Sequence, residues 1–371
     1  MDQEIFEKVT LIVPTFNRYP YLLRLLGYYK SYNFPIRILV LDSSTDLLEK
    51  DKFQGLLSNS RVCYQKNNFD IVTKIANGLK SVSTPYGVLC ADDTFITPNG
   101  IKQSVDFLEN NPDFAVAHGR YISFWLRDNR IKKQQQQQQQ QQQFFWLPNY
   151  SVSSNTFTDP KERLASQFLG YLPTFYGVSR IDLMKLIYEE SVKFTDSDRF
   201  TELLLSMLTL IYGKMGFLDV FYAARQALLN SSAERSKKLT DFIKDGNYSE
   251  KYAKFRECLG KHLSKKAQLE IDLANKVIDD GMSIYLSVCR EGKEPIKNVL
   301  VRKINTILKS SKTPDWLYEE IRSLYRKLFL ANQRRMDDSR SFADTPLSKY
   351  YDEINTIYKH LLAFQIPDKN N

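Results

Sequence analysis

Between Val9 and Leu89 the chain alternates apolar runs with helical stretches, and this alternation leaves few folds open. Val9–Pro14, Ile36–Leu41, Arg61–Gln65 and the run that begins at Tyr86 read as buried strands. Leu22, Leu23, Leu25, Leu26 and Tyr29 give the first intervening helix a wide apolar face, with Asn17 placed to cap it and Pro20 near its first turn. A polar helix over Thr45–Leu57 and a third over Phe69–Val82, with Ile71, Ile75 and Leu79 at fourfold spacing, follow. Strand and helix in this order predict an α/β fold whose mostly parallel sheet carries helices on both faces. The loops that follow the strands then gather along one rim, where such sheets bind their ligands.

That rim is rich in chemistry. The run Tyr86–Cys90 ends abruptly, after Ala91, in Asp92 and Asp93, with Thr94 and the turn residue Pro98 beyond. Two adjacent carboxylates supply hard oxygen donors that suit a divalent cation holding a diphosphate. An isolated Asp-Asp pair more often caps a turn. Here the loops after the first two strands supply the rest of a nucleotide site. The second of them, Asp42-Ser43-Ser44-Thr45-Asp46, is a turn-forming cluster.

The 371 residues suffice for two or three domains of about 100–200 residues each. A formal charge of +9 is modest for this length and permits an anionic ligand or membrane surface. The basic residues are dispersed and lack an aromatic-interleaved stripe, so nucleic acid is not an expected partner. Cys63, Cys90, Cys258 and Cys289 form no Cys-x-x-Cys pair. Cys63 and Cys90 fall in strand-like runs and are expected as core thiols in a reducing compartment. Met1–Lys8 is acidic and polar, unlike a signal peptide. Leu203–Tyr222 contains Lys214, Asp219, Gly213 and Gly216, and reads as a buried helix followed by a strand rather than a membrane span.

After Pro98 a helix is expected to about Asn110, then two short strands, Phe114–His118 and Tyr121–Leu126, joined at Gly119. His118, on an apolar run, reads as a core histidine. Gln134–Gln143 has no apolar face and is expected as a disordered surface insertion. The aromatic cluster Phe144–Pro148 beside it fits re-entry into the core, or else an acceptor platform. Residues 161 to 170 read as a helix, Pro173–Val178 as a strand or tight loop, Asp196–Glu202 as the start of a long apolar helix, and Phe217–Tyr222 as a strand ending at Arg225. From about residue 230 strand runs cease, and helical faces such as Leu317, Ile321, Leu324 and Leu328, or Ile354, Ile357 and Leu361, dominate. We therefore expect a domain over 1–229 and a helical C-terminal region over 230–371.

The motifs VTLIVPTFNR, VLDSSTD and Ala91-Asp92-Asp93-Thr94 with Pro98 resemble, in order, the N-terminal half of glycosyltransferase family 2, whose fold is the Rossmann-like GT-A fold. The resemblance covers roughly residues 8 to 230 and is strongest in the first hundred. Lys74, Gly78, Thr84-Pro85-Tyr86, Glu202 and Gly213-Lys214 look like features of a bacterial glycosyltransferase-domain branch. Leu41, Ser43 and Thr94 depart from the family's usual residues, and the strict Asp-x-Asp pattern is not met.

The resemblance implies transfer of a sugar from a nucleotide-diphosphate donor, UDP-sugar first, to an acceptor hydroxyl, assisted by Mn²⁺ or Mg²⁺. Asp93 is the first choice for coordination; Asp92 takes ribose or a metal-bound water. Asp42 either accepts the imide N–H of uracil or caps its turn. Pro14 and Thr15 hold the base through their backbone. Arg18 and Lys74 face the phosphates, unless each is simply a solvated charge, and Arg225 neutralises the leaving diphosphate. The general base is expected at Glu202, with Asp198 next, though both also suit a helix start. A carboxylate base without a nucleophile motif points to inversion. The competing reading is a catalytically silent GT-A domain that binds a nucleotide sugar or scaffolds polysaccharide assembly. A sugar nucleotidylyltransferase would need a Gly-rich, basic loop after the first strand, which Thr15-Phe16-Asn17 is not. Acceptors expected on this reading are glycans or lipid-linked glycans, and the expected location is cytoplasmic, with peripheral contact at the inner face of the membrane.

Overall fold

The computed structural model describes residues 2–46, 48, 50–53, 55–57, 60–127, 143–148, 153–194, 198–226, 246–290 and 348–364. A short helix α1 (Asp2–Glu7) precedes β1 (Val9–Thr15), α2 (Tyr19–Ser31), β2 (Arg37–Asp42), α3 (Lys50–Phe53), β3 (Val62–Lys66), α4 (Ile71–Leu79) and β4 (Tyr86–Leu89). Then come β5 (Thr94–Ile96), α5 (Pro98–Asn110), β6 (Phe114–Arg127), β7 (Gln143–Pro148), α6 (Pro160–Leu169), β8 (Val178–Arg180), α7 (Ile181–Ser191), α8 (Asp198–Tyr212) and β9 (Lys214–Gln226). Three helices from the C-terminal region follow: α9 (Tyr248–Ala267), α10 (Ile271–Arg290) and α11 (Tyr351–Ala363).

All nine strands join one sheet in the order β3-β2-β1-β4-β8-β6-β9-β5, with β7 paired to β6. The first four run parallel, as the alternation requires. Beyond β4 the sheet is mixed: β8 is antiparallel to β4 and β6, β6 is parallel to β9, and β5 is antiparallel to β9. The expectation of a mostly parallel sheet therefore describes its first half. The turn at Asp92–Asp93 leads directly into β5, which crosses to β9 instead of returning through a helix.

Strand alternation builds a core on each face. Leu11, Val13, Ile38, Val40, Val88 and Cys90 lie in the core covered by α2, α5 and α11. Ile12, Leu39, Leu41 and Leu89 lie in the other, beneath α4, α7 and α8. Each fully buried Leu, Ile or Val contributes on the order of 1.5–3 kcal/mol relative to exposure, so this two-sided burial fixes the register. The described C-terminal helices belong to the same two cores. Phe255, Leu259, Ile278 and Met282 of α9 and α10 join the second, and Ile354, Ile357 and Leu361 of α11 join the first.

Helix starts follow local chemistry. Asp70 caps α4 by accepting from Val72 N and Thr73 N, and Thr97 caps α5, whose first residue is Pro98. Four local expectations are corrected. The polar helix over Thr45–Leu57 is a single turn, α3. Asn17 does not cap α2; Arg18 occupies the cap position and makes no side-chain cap bond. The two strands around Gly119 are one strand, β6, with irregular pairing at His118–Tyr121. A Cβ at Gly119 would stand 2.4 Å from Val220 O, so glycine lets β6 and β9 meet there without a break. Finally, Cys63 is exposed while Cys90 is buried, because β3 is an edge strand.

Residues 134–142 of the glutamine run and the face Leu317–Leu328 lie outside the described residues, while Gln143 opens β7. The Phe144–Pro148 segment forms β7 alongside Ile122–Leu126. Among the described residues, no helix is long and apolar enough to cross a membrane.

Candidate active site

Two loops at the C-terminal ends of β1 and β2 are locked together first. Asn17 adopts the left-handed backbone (φ 54°), which asparagine tolerates, and turns its side chain towards the β2 loop. Its Oδ1 accepts from Thr45 N at 2.8 Å and Asp46 N at 3.2 Å, while its own N–H donates to Ser44 Oγ at 2.7 Å. Lys74, 2% exposed, reaches from α4 and donates to Thr15 O (2.7 Å) and Ser43 Oγ (2.9 Å). Burial lowers its pKa to about 8 against the pull of Asp42, Asp92 and Asp70. Its ammonium thus ties the two loops together rather than projecting freely towards a phosphate.

The same turn presents Arg18 to the end of β4. Its Nη1 stands 3.0 Å from Asp92 Oδ1 and its Nη2 donates to Asp93 Oδ2 at 3.0 Å. Thr15 Oγ1 donates to Asp92 Oδ2 at 2.9 Å. Asp92 Oδ1 has no hydrogen-bond partner among the described residues, since Arg18 approaches it closely but off the hydrogen-bond line. Burial pushes Asp92 up to about 6, opposed by Arg18 and reinforced by Asp93. Asp93 takes Thr94 Oγ1 on Oδ1 at 3.2 Å, with Arg225 Nε 3.8 Å away. Arg225 is brought there by sheet pairing, because β5 and β9 set Thr94 opposite Arg225.

Behind this layer lies a residue that pattern reading missed. Arg24 is 1% exposed and donates Nη2 to Gln226 Oε1 at 2.6 Å. Gln226 N donates in turn to Asp93 O at 2.9 Å. The guanidinium lies 5.3 Å from the ring centres of both Tyr21 and Phe95, and burial lowers its pKa to about 10. The visible signal was a charged residue inside the apolar arc Leu22–Leu26.

Asp42 sits at the predicted place in a different condition. It is 0% exposed. Ser44 N donates to Oδ1 at 2.7 Å; Tyr19 OH (2.8 Å), Tyr64 OH and Lys66 Nζ (3.1 Å) all reach Oδ2. Burial alone would raise its pKa, but the hydrogen bonds from Ser44, Tyr64 and Tyr19 outweigh it and hold the carboxyl near about 2. Four protein donors fill a carboxylate shielded from solvent, an arrangement that suits the turn-holding alternative.

Glu202, on α8, is half-buried and accepts from Tyr171 OH at 3.3 Å. Burial raises the pKa of the Tyr176 phenol, with Arg225 opposing the rise and Asp93 and Glu202 adding to it. The side chain of Asp198 lies outside the described residues. Pro14, partly exposed, precedes Thr15, the last residue of β1, whose carbonyl already accepts from Ser43 N at 3.2 Å and from Lys74. His118 is a core histidine, its Nδ1 3.0 Å from Gly119 O.

A second cluster lies away from the rim. Glu190, Cys258 and His262 bring three potential metal-ligand atoms within 4.8 Å of one another. Lys193 already holds Glu190 Oε2 at 2.7 Å, and Lys261 and Lys265 add positive charge around His262.

Residues 10–162 match the family model described as Glycosyl transferase family 2. That stretch, less than half of the chain, is similar to a family of sugar-transferring enzymes. Distant likenesses extend to S. aureus TarS, at 14% identity and a TM-score of 0.42 over 76% of this chain. The chain spans 55% of that structure. TarS 1–349 in complex with UDP-GlcNAc aligns at 14% identity and a TM-score of 0.41, covering 76% of this chain and 90% of the other. No curated protein matches the sequence.

Proposed function

We propose that the chain is a GT-A glycosyltransferase that moves a sugar from a nucleoside-diphosphate donor to an acceptor hydroxyl at the Asp92–Asp93 rim. The observation that carries this reading is the convergence there of two buried carboxylates with Arg18 and Arg225. In this reading the domain expected over residues 1–229 holds the donor, and the described helices of the C-terminal region, α9, α10 and α11, buttress the sheet.

The donor set fits a divalent ion, since it is all oxygen and includes Asp92 Oδ1 with no hydrogen bond. Asp93 would hold Mn²⁺ or Mg²⁺, with Asp92 beside it. An ion bound there supplies positive charge to the departing diphosphate. Arg225 adds a second, fixed charge on the β9 side, and Arg24 stiffens the Asp93 backbone through Gln226. Glu202 accepts the acceptor proton as the new glycosidic bond forms opposite the leaving group, which gives inversion. Thr94 occupies the third position of the motif and holds Asp93 Oδ1 without adding a carboxylate.

The base is left to selection by contacts other than Asp42, so UDP is the first donor to test rather than one read from that carboxylate. Calorimetric titration of UDP, GDP, CDP and dTDP, with and without Mn²⁺, tests the proposal. Metal-dependent binding of one nucleotide, lost in Asp93→Ala, supports it. Absence of binding to all four overturns it.

A further inference from the structure

Arg18 and Arg225 are the two exposed members of the charged layer, and Arg18 makes the closer contacts to the carboxylates. Its side chain is 32% exposed, whereas those of Asp92 and Asp93 are 3% exposed. One guanidinium therefore covers both carboxylates, one nitrogen to each, and rests 4.4 Å over the Tyr21 ring. A cation arriving from solvent meets these two guanidinium groups before it meets an aspartate, and Arg18 is the one in direct contact with both carboxylates.

Charge counting makes the two partners alternatives. The two carboxylates face the guanidinium groups of Arg18 and Arg225 and are balanced by them. Lys74 and the buried Arg24 already add positive field at Asp92 and Asp93. A dication placed about 2 Å from Asp93 with Arg18 still bound would lie against like charge, with no anion to offset it. A diphosphate supplies that anion, and guanidinium binds phosphate oxygens as readily as carboxylate.

We infer that Arg18 and the divalent ion compete for Asp92 and Asp93, and that Arg18, once displaced, turns to the diphosphate. The inference rests on the metal-assisted reading above and goes beyond it. Arg18 becomes a lock that makes metal entry dependent on the nucleotide. Metal alone is then held weakly, and metal with diphosphate tightly. Thr15, Thr94 and Arg225 hold the carboxylates in place through the exchange.

The test uses the full chain, Mn²⁺ as the metal and inorganic pyrophosphate as a base-independent diphosphate. Free Mn²⁺ is followed by electron paramagnetic resonance for wild type, Arg18→Ala, Arg18→Gln and Asp93→Ala. Arg18→Gln keeps hydrogen-bonding capacity, so it serves if the alanine variant melts early. The expected result is a crossing of signs. Losing the Arg18 charge tightens Mn²⁺ alone by tenfold or more and weakens pyrophosphate at saturating Mn²⁺ by tenfold or more. A merely structural Arg18 would move both affinities in the same direction. Equal Mn²⁺ affinity in wild type and both Arg18 variants, with binding lost in Asp93→Ala, overturns the lock and leaves the metal site standing. Mn²⁺ affinity unchanged by Asp93→Ala overturns the metal assignment and the lock with it.

Discussion

Two buried carboxylate centres stand at the ends of β2 and β4, the strands on either side of β1, both less than 3% exposed, and the fold treats them in opposite ways. Asp42 receives four hydrogen bonds and is held near about 2. Asp92 receives one, leaves Oδ1 in an ion pair with Arg18 but without a hydrogen bond, and is pushed up to about 6. A carboxylate whose oxygens are filled by the protein stabilises the loop that fills them. One that is buried and under-served retains capacity for a ligand. Burial alone does not separate the two; the count of donors does.

The contrast is broken most directly by removing Asp93. Asp93→Ala is expected to lower kcat by about 10³-fold while the melting temperature stays close to wild type. A comparable loss of stability would make the pair structural after all. Next in size, Glu202→Gln is expected to reduce kcat by about 10²–10⁴-fold with donor affinity unchanged, read by steady-state kinetics beside calorimetry. Survival of transfer would move the general base elsewhere.

For the other centre the expected readout is stability. Asp42→Asn is expected to cost about 3 kcal/mol in urea unfolding, because Tyr19, Tyr64 and Lys66 lose their common acceptor, and to leave nucleotide selectivity unchanged. A change of base preference at constant stability would reverse the assignment. Its pH dependence has a definite sign. The folded pKa lies below the unfolded value, so this stabilisation is present above about pH 4 and is lost as pH falls towards about 2. It amounts to about 2 kcal/mol and should vanish in Asp42→Asn. Smallest of all, Cys63→Ser on the exposed edge strand should change stability by less than about 0.5 kcal/mol.

Much of the site's address was legible in the chain. Continuous apolar runs set β1, β2 and β4, and the order of strands and helices carried Thr15, Arg18, Asp42, Asp92 and Asp93 to one rim. Their condition there was not legible. Whether Asp42 keeps a free oxygen depends on Tyr19 and Tyr64, which local patterning places only as strand and helix residues. Arg24 was hidden because helical periodicity scores a lone arginine as a break in an apolar face, while the bond that explains it reaches Gln226. The mixed half of the sheet was equally hidden, since β5 is three residues long and its partner β9 lies more than a hundred residues on. Cys63 was misplaced because an edge strand and a central one share the same local pattern.

The contact between α11 and Arg24 has a consequence for how the molecule is made. His360 Nε2 lies 2.8 Å from Arg24 O, across 336 residues of sequence, and its ring packs against Phe95 beside the carboxylate turn. A ribosome delivers the loops of the carboxylate rim long before it delivers the helix that sits behind them. The nascent chain can pair β1, β2 and β4 early, yet the backing of that rim waits until α11 has been made. Fragments that stop short of α11 would carry recognisable motifs without this backing.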